Sequence, residues 1–65
     1  MKNNIKHLRT QLGLRQEDLA NKLGVTRQTI NAIENDKYNP TLELAMKIAK
    51  LFNATVEEIF QLYDE

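Results

Sequence analysis

The chain contains no cysteine, which excludes a disulfide framework and any thiolate metal site. No apolar run approaches the roughly 20 residues that span a bilayer. No signal-peptide pattern follows Met1. Together these absences point to a soluble cytoplasmic protein with no membrane partner. His7 is the single histidine, and no second ligand stands at metal-binding spacing from it, so it reads as a surface side chain. Repeats, low-complexity tracts and strand-like stretches are all missing. So is every catalytic constellation: no nucleophile paired with a base, no glycine-rich phosphate loop, no paired carboxylates in an apolar setting. Glu57-Glu58 and Asp64-Glu65 fall at helix ends or in the tail and read as solvated charges. The sequence therefore assigns no catalytic residue, no metal and no cofactor, and an enzyme is not expected. With 65 residues it makes one small domain over 1–65, without room for a separate effector domain.

The formal net charge of zero taken alone argues against nucleic acid. Its distribution argues the other way. Residues 1–38 hold seven Lys or Arg against four Asp or Glu, and residues 39–65 hold two against five. A basic half and an acidic half suit an oriented approach to phosphate.

What the chain does contain is helical punctuation. Ile5, Leu8 and Leu12 recur at i, i+3 and i+7 and are expected to face the core. Asn3 or Asn4 is placed to cap that first helix, after an N-terminus expected to fray. Gly13 ends the helix in a left-handed cap, with Leu14 folding back. A second helix begins near Arg15 or Gln16 and carries Leu19, Ala20 and Leu23 on one face. Gly24 breaks it and Val25 turns inward. Thr26 offers a side-chain oxygen to the free N–H groups of a third helix, which runs from Arg27 to about Glu34. Ile30 and Ile33 are its buried face. Arg27, Gln28, Asn31 and, near the edge, Thr29 form the other. Pro40 and Thr41 open a fourth helix whose wide apolar face comprises Leu42, Leu44, Ala45, Ile48, Ala49, Leu51 and Phe52, with Met46 off it. Thr55 and Glu58 form a capping box for a fifth, and Val56, Ile59 and Phe60 close the core. Gln61 to Glu65 is a short tail in which Leu62 and Tyr63 either pack on the core or form part of a dimer surface.

Two helices joined by a tight turn, the second with a polar outer face, match a helix–turn–helix over about residues 16–35. Residues near the start of the second helix would enter the DNA major groove. Arg27 suits guanine O6 and N7, and Gln28 suits adenine N6 and N7. Thr29 offers a hydroxyl and a methyl, the latter suited to thymine. Asn31 would read a base or reach a phosphate. Gln16 and Thr26 at the two helix starts, with Asn35 and Lys37 in the following loop, are candidate phosphate ligands. Arg15 cannot accept a capping hydrogen bond and is placed to reach a phosphate instead. Tyr38 would stack on sugar or cover the core.

From about Ile5 to Phe60 the chain resembles the phage Cro/repressor-like family, also called the Xre family. The shared residues are Leu8-Arg9, Leu12-Gly13-Leu14, Gln16, Leu19-Ala20, Leu23-Gly24-Val25, Ile30, Ile33-Glu34-Asn35, Lys37 and Asn39-Pro40. The resemblance implies an all-α, five-helix repressor-like DNA-binding domain with the helix–turn–helix formed by helices 2 and 3. It implies a structural ion pair between Arg9 and Glu34, and a phosphate held by Gln16. Arg15 departs from the usual threonine or serine cap. Asp36 departs from the usual glycine, at a left-handed position that Asp tolerates better than most residues. The function implied is a sequence-specific regulator of transcription, a repressor that occupies a promoter on double-stranded DNA. Two half-sites one turn apart call for a homodimer on an inverted-repeat operator. The loop Tyr38-Asn39-Pro40 and the fifth helix with Leu62 and Tyr63 are its candidate surfaces. A second reading is a protein-interaction module, antitoxin-like or a scaffold, built on the same fold. It fits the zero net charge and the apolar tail.

Overall fold

Helices α1 (Ile5–Gln11), α2 (Gln16–Leu23), α3 (Arg27–Glu34), α4 (Leu42–Phe52) and α5 (Val56–Ile59) follow one another along the chain. A two-stranded antiparallel ribbon joins its ends: β1 (Lys2–Asn3) pairs with β2 (Phe60–Gln61), Lys2 opposite Gln61 and Asn3 opposite Phe60. The computed structural model describes residues 1–62. Tyr63, to which the sequence assigned packing or a dimer contact, lies outside the described residues with Asp64 and Glu65, whereas Leu62 is exposed and does not pack on the core.

Four helices stop in the same way. After α1, Leu14 N–H donates to Arg9 O and Gly13 N–H to Thr10 O. Val25 and Gly24 repeat that pattern on Ala20 and Asn21, Lys37 and Asp36 on Ala32 and Ile33, and Ala54 and Asn53 on Ala49 and Lys50. Each pair of bonds satisfies carbonyls left over at a helix end, and each needs one residue at positive φ. Gly13 (φ 71°), Gly24 (72°), Asp36 (60°) and Asn53 (54°) supply it. The helix starts are as local. Thr26, Thr41 and Thr55 side chains accept from the N–H groups of Thr29, Leu44 and Glu58, and Glu58 reaches back to Thr55 N–H at 2.8 Å.

The core lies where all five helices converge. Ile5 of α1, Leu19 of α2, Ile30 and Ile33 of α3, Ile48 of α4 and Ile59 of α5 are essentially inaccessible to solvent. Leu8, Val25, Leu51, Phe52 and Val56 pack around them, half-buried.

Four expectations are corrected. Leu12 is 57 % exposed, because α1 ends at Gln11 and the chain turns at Gly13 before the i+7 position can face inward. Leu42 is 74 % exposed. It occupies the first turn of α4, whose buried residues begin only at Leu44. The N-terminus is paired into a ribbon, and strands are present: Asn4 N–H donates to Ile59 O at 3.1 Å, continuing the ribbon into α1. Phe60 closes the core as expected, and does so from β2. Asn4 occupies the cap position of α1 without a side-chain bond. It is Asn3 whose Oδ1 accepts from Ile5 N–H at 3.1 Å.

Candidate nucleic-acid interface

Arg9 is the buried charged residue around which α1, α2 and α3 are joined. Its Nε donates to Glu34 Oε2 at 2.7 Å and its Nη2 to Glu34 Oε1 at 3.2 Å. Nη1 donates to Leu14 O at 2.8 Å. The two side chains are 9 % and 3 % exposed, so the ion pair implied by the resemblance exists and is buried. The hydrogen bond to Glu34 raises the Arg9 pKa, against the opposing effect of burial. Every buried side-chain polar atom among the described residues has a partner. That satisfaction is what makes a buried charge pair tolerable.

Glu34 does more than neutralise Arg9. Its Oε1 also accepts from Gln16 Nε2 at 3.1 Å. Gln16 Oε1 accepts in turn from Asn31 Nδ2 at 3.4 Å. Asn35 Nδ2 donates both to Asn31 O at 2.9 Å and to Asn31 Oδ1 at 3.2 Å. A relay of carboxylate and three amides thus runs from the core to the exposed face of α3. Gln16, at the first position of α2, is half-buried within it.

Arg27, Gln28 and Asn31 are exposed on the side of α3 opposite Ile30 and Ile33. Among the described residues, Arg27 and Gln28 have no side-chain partner, so their full donor capacity faces solvent. Thr29 is half-buried, and its hydroxyl shares a 3.0 Å hydrogen bond with that of Thr26, which is itself occupied as the α3 cap. Thr29 therefore sits at the rim of the face. Lys37 is exposed and unpaired among the described residues, one residue beyond the left-handed Asp36. Tyr38 is 45 % exposed. Its inner side lines an open hollow of about 300 Å³ between the turn and α4, with Leu23, Val25, Thr29 and Leu44.

Arg15 differs from what its sequence position suggests. Its guanidinium pairs with Asp18 at 3.2 Å, and Asp18 Oδ2 accepts the Arg15 backbone N–H at 2.9 Å. Asp18 thereby satisfies the N–H of the cap residue, the acid's half of a capping box. The hydrogen bond from Arg15 holds the Asp18 carboxyl below its usual range, and the same bond raises Arg15. The i,i+3 spacing of an acid behind a helix start was a readable signal for this bond. Asn3 was not readable in the same way. Its Nδ2 donates to Ile33 O at 2.8 Å and to Asp36 Oδ1 at 3.3 Å, fastening the ribbon to the end of α3. Those partners lie 30 and 33 residues away.

Residues 5–59 match the model of the helix-turn-helix family that contains Xre-like domains. The chain belongs to this family. Its helix–turn–helix is α2, the turn at Gly24-Val25-Thr26, and α3. Over 65 residues the chain is 57 % identical to an uncharacterized HTH-type transcriptional regulator of Methanocaldococcus jannaschii, covering all of this chain and 98 % of that one. The transcriptional repressor RstR of a cryptic phage, from Vibrio cholerae, is 36 % identical over 55 residues, 85 % of this chain and 50 % of the repressor. The crystal structure of a hypothetical transcription factor from Neisseria superposes with a TM-score of 0.77 at 27 % identity, covering 85 % of this chain and 62 % of that one. These relationships, with the fold, make the helix-turn-helix protein a DNA-binding regulator of transcription.

Proposed function

We propose that this helix-turn-helix protein is a sequence-specific repressor that binds double-stranded DNA as a homodimer on an inverted repeat. α3 lies in the major groove. Arg27 and Gln28 read base edges from its N-terminal end, Asn31 reads one turn further on, and Thr29 touches the rim. Gln16, Thr26, Asn35, Lys37 and Tyr38 lie along the phosphates on either side, and Arg15 joins them only by releasing Asp18. The observation that carries this reading is the unpaired, exposed pair Arg27 and Gln28 at the start of a helix whose opposite face is locked into the core. The likeness to RstR supports repression over activation. The polar outer face of α3 disfavours a protein-interaction module, since protein interfaces concentrate aromatics at their centre.

Selection from a random double-stranded DNA pool at about 0.1 M salt, where surface charges are already screened beyond roughly 10 Å, tests it. Enrichment of an inverted repeat with half-sites one helical turn apart is expected. Weak, salt-sensitive binding to every sequence would overturn it, and the protein-interaction reading would take its place.

A further inference from the structure

The relay that starts at Glu34 has a direction. Glu34, ionised against Arg9, is only an acceptor, so Gln16 must turn its Nε2 toward it and its Oε1 away. Gln16 Oε1 is then the acceptor that Asn31 Nδ2 meets. The far end is fixed independently. The Asn31 backbone carbonyl is also only an acceptor, so Asn35 must present its Nδ2 there, and the same nitrogen meets Asn31 Oδ1. Both ends of the chain thus demand one orientation of the Asn31 amide: nitrogen toward Gln16, oxygen toward Asn35. An isolated asparagine amide flips freely between two such orientations, and here neither neighbour accepts the flipped one.

The Asn31 amide still has one hydrogen and one lone pair to offer, on an exposed residue of the reading helix. A donor and an acceptor side by side match N7 and N6 of adenine in the major groove. Because reversal would break both bonds, the amide presents that edge in one sense. We propose that Asn31 reads an adenine on one defined strand, and that Gln16 and Asn35 are positioning residues which hold its amide for that purpose. The proposal rests on the DNA-reading function above and gives Gln16 and Asn35 a task beyond phosphate contact.

The test uses the full-length protein and the site obtained by selection, with every single-base variant of that site. Wild type is expected to prefer adenine over thymine at one position by tenfold or more. Asn31→Ala should abolish that preference and leave those due to Arg27 and Gln28. Gln16→Ala and Asn35→Ala should each reduce it several-fold while keeping Asn31 in place. If these two variants instead weaken binding to all sequences by the same factor, they contact phosphate only and the proposal is overturned. A second measurement needs no DNA: ¹⁵N relaxation of side-chain amides in the free protein. The Asn31 amide should be ordered in wild type and mobile in Gln16→Ala. A mobile Asn31 amide in wild type would refute the relay while leaving the DNA-reading function standing. Failure of wild type to select any sequence would bring down both.

Discussion

Arg27 and Lys37 are both exposed cations with no partner among the described residues, yet their places predict opposite behaviour. Arg27 opens the reading helix, so Arg27→Ala should cost about 1–3 kcal/mol at one base pair and relax preference there. Lys37 lies in the loop beyond it. Lys37→Ala should weaken binding to all sequences alike and lower the log–log salt slope by about one. Affinities on selected and scrambled sites at several salt concentrations separate the two. If both variants behave the same way, the roles are misassigned. Arg9 and Glu34 present a different residue-level case. Each is buried, so removing one leaves the other charged and unpaired, at a cost of about 3–5 kcal/mol. A domain of this size has total stability of about 5–10 kcal/mol. Arg9→Ala and Glu34→Ala should therefore lose about half of that stability and melt at least about 12 °C below wild type, which thermal melts followed by circular dichroism will report. Asp18 titrates as well as pairs. Its folded pKa lies below its unfolded one, so its contribution is present above about pH 4 and is lost as pH falls through the folded value. Asp18→Asn should flatten the dependence of melting temperature on pH across that acid range, and unchanged curvature would show that the α2 start does not depend on this bond.

Helix boundaries were legible because their signals are local. Gly13, Gly24, Thr26, Thr41 and the Thr55–Glu58 pair each act within four residues, and α3 begins and ends where the sequence suggests. Periodicity misleads where it runs past a helix end, as at Leu12, or into a first turn without a neighbour, as at Leu42. The site was legible as a set of residue types on one helical face. Its wiring was not. Gln16 to Glu34 spans 18 residues and Asn3 to Ile33 spans 30, and no local spacing encodes such bonds. The shared helix-end motif gives an element-level prediction. A methyl at Gly24 meets nothing within 4 Å, so Gly24→Ala acts through backbone conformation alone. The left-handed penalty of roughly 1–2 kcal/mol is partly offset by the reduced freedom of the unfolded chain. A net loss of about 1 kcal/mol is expected in urea unfolding, with an unchanged m-value. Gly24→Asn should cost less, since Asn53 holds the same conformation in this chain at φ 54°. Equal losses for the two substitutions would show that packing, not φ, governs this turn.

The whole molecule is short compared with the distance its proposed operator sets. Its Cα envelope measures 30 × 22 × 21 Å, and side chains add about 3 Å at each end. Half-sites one helical turn apart place reading helices about 34–36 Å from each other. Two copies on one face of the duplex therefore meet when their long axes follow the DNA, and then only at their ends. So small a contact falls below the roughly 1,200 Å² that stable complexes bury. The free protein should accordingly be monomeric at micromolar concentration in sedimentation experiments, with pairing driven by the DNA. Titration of an operator with both half-sites should give a Hill coefficient near two. Inserting five base pairs turns one half-site to the opposite face and breaks the contact, so the coefficient should fall to one while each half-site keeps its own affinity. A coefficient of one on the uninterrupted operator, with the free protein monomeric in sedimentation, would refute the homodimer. A coefficient that stays near two after the insertion would instead place the contact outside the ends of the domain, on a surface able to reach around the duplex.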